Sequence, residues 1–176
     1  MKKTIIVAML AAGSALTMTN AFAAAGVINF TGKILDSACD VDVASQNQTI
    51  DLGNYNKTEF PTTGSKTAAK EVKIVLKNCP VTVTSAQVRF DGTPDLTNSS
   101  LLAIDSSATG AASGVAINLM TADKADLPLH GSNSYSYPLN SSADNTLMFY
   151  AQYISTAATV VPGQANSVTN FSVVYN

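Results

Sequence analysis

The chain has 176 residues, 46% of them hydrophobic and only 12% charged, with no tryptophan. Its 10 basic and 12 acidic residues give a net charge of −2 and form no block of one sign, which argues against a nucleic-acid binder or a protein drawn to an anionic membrane. With so few charges the exterior must be covered largely by small neutral polar side chains, a composition that suits packing against copies of itself and that many secreted β-sandwiches share.

Met1-Lys2-Lys3, an apolar stretch from Ile5 to about Met18, and Ala21-Phe22-Ala23 follow one another as the basic, apolar and small-residue parts of a secretory signal. Gly13, Ser14, Thr17, Thr19 and Asn20 interrupt a stretch already shorter than the roughly 20 apolar residues of a spanning helix, so cleavage is expected after Ala23. Removing those 23 residues from 176 leaves 153, the size of one ordinary domain, with 8 basic against 12 acidic residues and a net charge of −4. Cys39 and Cys79 are the only cysteines, and the oxidising compartment implied by the signal makes a single bridge the economical assignment. Two free thiols or a metal pair are the competing readings, and no further Cys or His stands at ligand spacing. Closing a loop of this length is worth roughly 4 kcal/mol by chain entropy.

Along the exported part, Ile28, Phe30 and Ile34 alternate with Asn29, Thr31 and Lys33, which predicts a strand across Gly26 to Asp36. Gly32 keeps the phase without a side chain, the mark of a bulge, a bend or a close backbone approach. Val41 and Val43 alternate with Asp40 and Asp42, and Thr49 to Gly53 gives a second short alternating piece. A turn-rich stretch with Pro61 and Gly64 leads into Glu71 to Cys79, where Val72, Ile74 and Leu76 share one face and Pro80 ends the strand or marks its edge. Val83 to Phe90 predicts another strand, closed by the Asp91-Gly92-Thr93-Pro94 turn, and Asp95 to Gly114 reads as loop.

Val115 to Met120 alternates again. Leu147 to Ile154 is the longest apolar run of the exported part and reads as a central strand buried on both faces or nearly so. After the Pro162-Gly163 turn, Phe171, Val173 and Tyr175 share one face of a last strand. No segment carries sustained helical periodicity, and seven or eight short strands in a secreted chain argue for an all-β sandwich.

Several of these segments together resemble the type 1 fimbrial subunits of the chaperone-usher pathway. They are Gly26 to Ile34 followed by Cys39, Leu76-Lys77-Asn78-Cys79, Gly114 to Leu119, Phe149 to Tyr153, and Pro162 to Asn166 followed by Phe171 to Tyr175. The resemblance covers essentially the whole exported domain. It implies an incomplete immunoglobulin-like β-sandwich, completed by a donor strand from a neighbouring subunit. It further implies a signal peptide over 1–23, an N-terminal donor extension over about 24–31 and a pilin domain over 32–176.

The implied donor residues are Gly26, Ile28 and Phe30, Gly26 where the groove is shallow and the other two in pockets. The alternative is that Ile28 to Leu35 is simply the domain's own first strand. At the other end Phe171, Val173 and Tyr175 would line the groove and pair with a periplasmic pilus chaperone, where an ordinary core-facing last strand would look the same. The remaining partners implied are an outer-membrane usher, further copies of the chain and related pilins, with no cofactor and no nucleic acid. The destination is a cell-surface fimbrium reached through the periplasm, and the role is that of a structural subunit supporting cell adhesion.

An enzyme is not expected. The only histidine, His130, lies in a polar turn where solvation is the usual fate, and Asp105 with Ser106 and Ser107, or Asp123 with Asp126, are not spaced as any catalytic set. A two-domain adhesin would need a lectin domain for which the sequence leaves no room, and the exported part offers only 6 Tyr and 5 Phe as a sugar platform. A single-domain adaptor or minor tip pilin, or a self-contained secreted glycan-binding module, is the alternative function. Cys39→Ala is expected to abolish stable subunit in the periplasm, and unchanged subunit on an immunoblot of periplasmic extract would remove the structural role of the bridge.

Overall fold

The computed structural model describes residues 26–34, 38–131 and 135–176, and the expected leader over 1–23 lies outside them. The chain divides into two compact units, Met1–Ile34 and Leu35–Asn176. In the first, residues 26–34 form neither helix nor strand. The alternation that predicts a strand there is present in the sequence, but a strand needs a hydrogen-bonded neighbour, and among the described residues the segment has none. A side chain on Gly32 would meet nothing within 4 Å, so no close approach among the described residues accounts for that glycine.

The second unit is a two-layer β-sandwich. Its strands are β1 (Asp40–Val41), β2 (Lys70–Lys77), β3 (Ser85–Gly92), β4 (Leu102–Ala103), β5 (Val115–Met120), β6 (Tyr137–Pro138), β7 (Asn145–Ser155) and β8 (Thr169–Tyr175). One sheet has the order β1-β2-β7-β5-β4 and the other β6-β3-β8, every ladder antiparallel.

Period-two patterning aims one face of each long strand at the space between the sheets. Ile74 and Leu76 of β2, Val88 and Phe90 of β3, and Leu147 and Phe149 of β7 are buried there. Phe149 is the hub. Its ring meets Phe90 edge-on at 5.2 Å and Tyr137 at 5.1 Å, arrangements that add to plain area burial. The hydroxyl of Tyr137 donates to the carbonyl of Met148, which satisfies the one polar atom that this aromatic cluster brings inside.

Two departures from the sequence expectation have local causes. After β1 the chain does not continue as a strand, because the Asp42 carboxylate accepts the Ala44 N–H at 2.9 Å and starts a single helical turn, α1 (Val43–Gln46). Thr49 to Gly53 stays outside any ladder, with Asp51 accepting the Gly53 N–H at 2.9 Å in a turn. The run Leu147 to Ile154 of β7 is buried on both faces or nearly so, with Met148, Tyr150, Tyr153 and Ile154 half-buried and none exposed, and β5 goes further, with Ala116, Asn118 and Met120 of its second face buried as well. The Asn118 amide donates to Asp126 at 2.8 Å, which makes its burial tolerable.

Cys39 and Cys79 form the disulfide, joining the start of the second unit to the end of β2. Replacing Phe149 by Ala removes the hub and is expected to cost about 3–5 kcal/mol, read as a lowered urea midpoint with an unchanged slope. A shift corresponding to less than about 1 kcal/mol would mean that the cluster collapses into the space.

Candidate functional site: an open groove beside the last strand

The ends of a sheet show where it can accept another strand. Beyond β1, the edge of β2 is covered: Ser45 Oγ accepts the Val75 N–H at 2.9 Å and the Gln48 amide donates to the Lys73 carbonyl at 2.7 Å. The edges formed by β4 and β6 are two residues long, and Pro138 removes a donor from the second. β8 differs. It pairs with β3 along seven residues, from Gly92 opposite Thr169 to Ala86 opposite Tyr175, and among the described residues no strand pairs with its other edge.

Burial shows the same gap. Phe90, Val88 and Ala86 of β3 are buried, while the residues directly opposite them on β8, Phe171, Val173 and Tyr175, are only half-buried. All three pack against the core, so what they lack is a neighbour on the open side. The segment from Cys39 to Tyr55, whose first residue the Tyr175 hydroxyl reaches, likewise has Val41, Ile50 and Tyr55 half-buried against the core. The three residues expected at the C-terminal groove therefore stand in one row along its wall.

The groove is closed at the Tyr175 end and open at the other. The Tyr175 hydroxyl donates to the Cys39 carbonyl at 3.3 Å, and burial pushes that phenol's pKa up, keeping it a donor. A cavity of about 530 Å³, lined by Ile50, Leu52, Phe60, Val115, Tyr153 and Val160 among others, lies against the segment that leads into β8. Tyr153 orders this end, meeting Tyr55 edge-on at 6.2 Å and donating to the Ala165 carbonyl at 2.9 Å. Gly163 lets the wall close, since a Cβ there would collide with the backbone of Gly110 to Ala112, to which Gln164 is bonded on both sides. None of these residues was expected as part of the site. The alternation over Thr49 to Gly53 was the one available signal, and nothing in it distinguishes a groove wall from a strand.

Gly26, Ile28 and Phe30, the expected donors, lie in the first unit. Ile28 is 78% exposed and Phe30 92%, and Ile34, in the same phase, is 95% exposed. The carboxylates weighed for catalysis are occupied in turns: Asp105 accepts from the Ser107 N–H and hydroxyl, and Asp123 from the Thr121 hydroxyl. His130 is not merely solvated. Its ring nitrogens face Asp91 at 2.9 Å and the Gly92 carbonyl at 2.8 Å, fastening its loop to the end of β3.

A two-sheet β-sandwich that lacks a strand beside its last one is an incomplete immunoglobulin-like domain, the fold of a subunit completed by its neighbour. The chain belongs to the fimbrial protein family, whose model matches residues 28–176. It is 38% identical over 92% of its length to the probable major fimbrial subunit LpfA of Escherichia coli O157:H7, covering 91% of that protein. It is 35% identical to the type-1 fimbrial protein A chain of Escherichia coli K12, with 98% of each chain covered. Among solved structures it resembles the type I fimbria protein BPSL1626 of Burkholderia pseudomallei, with a TM-score of 0.60, 37% identity, and coverage of 85% of this chain and 97% of that one. The P pilus rod subunit PapA shares the fold at 24% identity, with a TM-score of 0.67 over 80% of this chain and all of that one. The protein is thus a structural subunit of a bacterial surface fimbria, and such subunits polymerise with other pilin subunits.

The rim of the groove at β1 is held by Lys77, whose ammonium lies 2.5 Å from Asp42 and 3.8 Å from Asp144. The bond to Lys77 lowers the pKa of Asp42 and that to Asp42 raises the pKa of Lys77, so the two directions agree. A carboxyl lowered in the folded state stabilises the fold above its ordinary value of 3.8, and that contribution is lost as pH falls through the lowered one. Asp42→Asn is therefore expected to lower stability at neutral pH and to flatten the loss of stability below pH 4 in thermal melts. An acid limb unchanged by the substitution would assign it to other carboxylates.

Proposed function

We propose that residues 26–34 are the donor strand of this subunit, which fills the groove beside β8 of another copy and so builds the fimbria head to tail. The observation that carries this reading is the pairing of two incomplete halves in one chain. One half is an alternating apolar segment without a hydrogen-bonded partner among the described residues, and the other is a half-buried apolar row beside an open strand edge. An added strand gains main-chain bonds independent of its sequence, while alternate side chains give it specificity.

Gly26, Ile28 and Phe30 are the donor residues on this reading, and the alternation continues through Gly32 to Ile34. A side chain on Gly32 would meet nothing among the described residues, which fits a close approach made in the neighbour's groove. Lys33 is the only charge from Gly26 to Ile34 and lies in the opposite phase from Ile28, Phe30 and Ile34. Before exchange, a periplasmic pilus chaperone pairs with β8 along Phe171, Val173 and Tyr175, and an outer-membrane usher receives the complex. The leader is removed after Ala23, the subunit crosses the periplasm, and the finished fimbria supports adhesion without catalysis by this chain.

Deleting residues 24–30 tests the reading. The truncated subunit is expected to be recovered only as a one-to-one complex with a pilus chaperone and never to polymerise, whereas the full-length subunit forms denaturant-resistant fibres. A truncated subunit that elutes as a stable monomer on size exclusion would mean that the sandwich is complete without a borrowed strand.

A further inference from the structure

On the basis of the donor-strand reading, we propose a second contact between consecutive copies. The end of the domain at the groove mouth, through Leu96 and Val168, receives the turn of the next copy that carries Val81. Chain length forces the two bodies together. Ile34 and Cys39 are five residues apart, and five residues span at most about 17 Å, so a donor segment seated as far as Ile34 holds its own domain within that distance of the groove.

The groove also decides which end meets the next body. At the Tyr175 end it is closed by the bond to Cys39 and by the Asn176 carbonyl, which accepts the N–H groups of Thr84 and Ser85 at 3.1 and 3.2 Å. A strand that continues into a folded domain leaves by the open end, beside the 530 Å³ cavity and the start of β8.

That end carries exposed apolar residues. Val168 directly precedes β8 and is 82% exposed, and Leu96 is fully exposed. Their loops are tied together: Ala103 N–H donates to Thr93, Ser167 Oγ to Ala103, and Asp105 N–H to Asn166. Leu96 is presented on a fixed turn, because Asp95 Oδ1 accepts the N–H groups of Thr97 and Asn98 at 2.9 and 3.0 Å while its own N–H donates to Leu101. On the arriving copy the part nearest the tether is Cys39, disulfide-bonded to Cys79, and two residues beyond stands Val81, 79% exposed in a turn whose Val83 is buried. The contact is heterologous, one end of a copy against the other end of the next, so it repeats along a linear fibre.

Full-length subunit carrying Leu96→Cys and Val81→Cys, assembled into fibres, oxidised and boiled in detergent, is expected to run as a ladder of covalent multimers that neither single variant gives. Fibres that fall apart to monomer overturn the end contact while leaving the donor strand in place. Charge variants avoid interference with the native bridge. Leu96→Asp and Val81→Asp should each shorten fibres severalfold in electron micrographs, and Leu96→Asp combined with Val81→Lys should restore length. Equal lengths throughout, or no restoration by the pair, overturn the contact. Fibres that persist after residues 26–34 are deleted would remove the donor strand and, with it, the tether on which the contact depends.

Discussion

The open edge of β8 is the constraint around which the rest of the domain is organised. A three-strand layer facing a five-strand layer leaves part of the core uncovered, and the shortfall falls on one row, Phe171, Val173 and Tyr175. Those side chains pack on β3 and the opposite sheet but lack a neighbour in their own, so the burial that should stabilise the last strand is only partly collected. The same edge leaves main-chain donors and acceptors to water along seven residues. Surface of this kind is tolerable in a subunit that never remains alone and hazardous in one that does.

Keeping such a groove both open and well shaped requires fixing its walls by means other than a strand across it. The disulfide and the Tyr175–Cys39 bond fix one end. The close backbone contact at Gly163 and the anchoring of Tyr153 to Ala165 fix the other. Between them, the turn begun by Asp42 covers the edge of β2, so the sheet that could have paired promiscuously there cannot. The outcome, among the described residues, is one long open edge, that of β8. One open edge and one apolar extension per chain make a linear heterologous polymer, where two open edges would invite branching or sheet-like aggregation.

Long ladders were legible in the sequence because their cause is local. In β2, β3, β5 and β8 the alternation of apolar and polar residues is itself what places side chains on a face. The short pieces were not legible, since β1, β4 and β6 exist only because a neighbour lies alongside, and Pro138 in β6 argues against a strand when read alone. The full burial of β5 was not legible either, and the reason is an amide: Asn118 reads as solvent-facing until Asp126 is found to satisfy it. For the groove, the alternation of Phe171, Val173 and Tyr175 reveals a face but not whether that face is covered, and coverage is a property of the sheet. The cavity, built from Ile50, Tyr153 and Val160 on three separate segments, has no linear signature at all.

The scarcity of charge follows from the same constraint. An inserted strand lies within a sheet, one side toward the core and the other toward solvent, so a charge on its inward phase would be buried without a partner at a cost far above any gain from the ladder. In residues 26–34 the single charge, Lys33, stands out of phase with Ile28, Phe30 and Ile34, and the β8 residues that pack on the core, Phe171, Val173 and Tyr175, carry no formal charge. On the proposed donor-strand reading, a hydrophobic segment that finds no partner among the described residues and a groove that finds no strand among them are both unfavourable when separate. Uniting them covers apolar surface on both sides and pairs main-chain groups on both, which makes the contact one of stability as much as of recognition. The fold of each copy is then finished only in the fibre, and subunit stability and fibre stability become the same quantity.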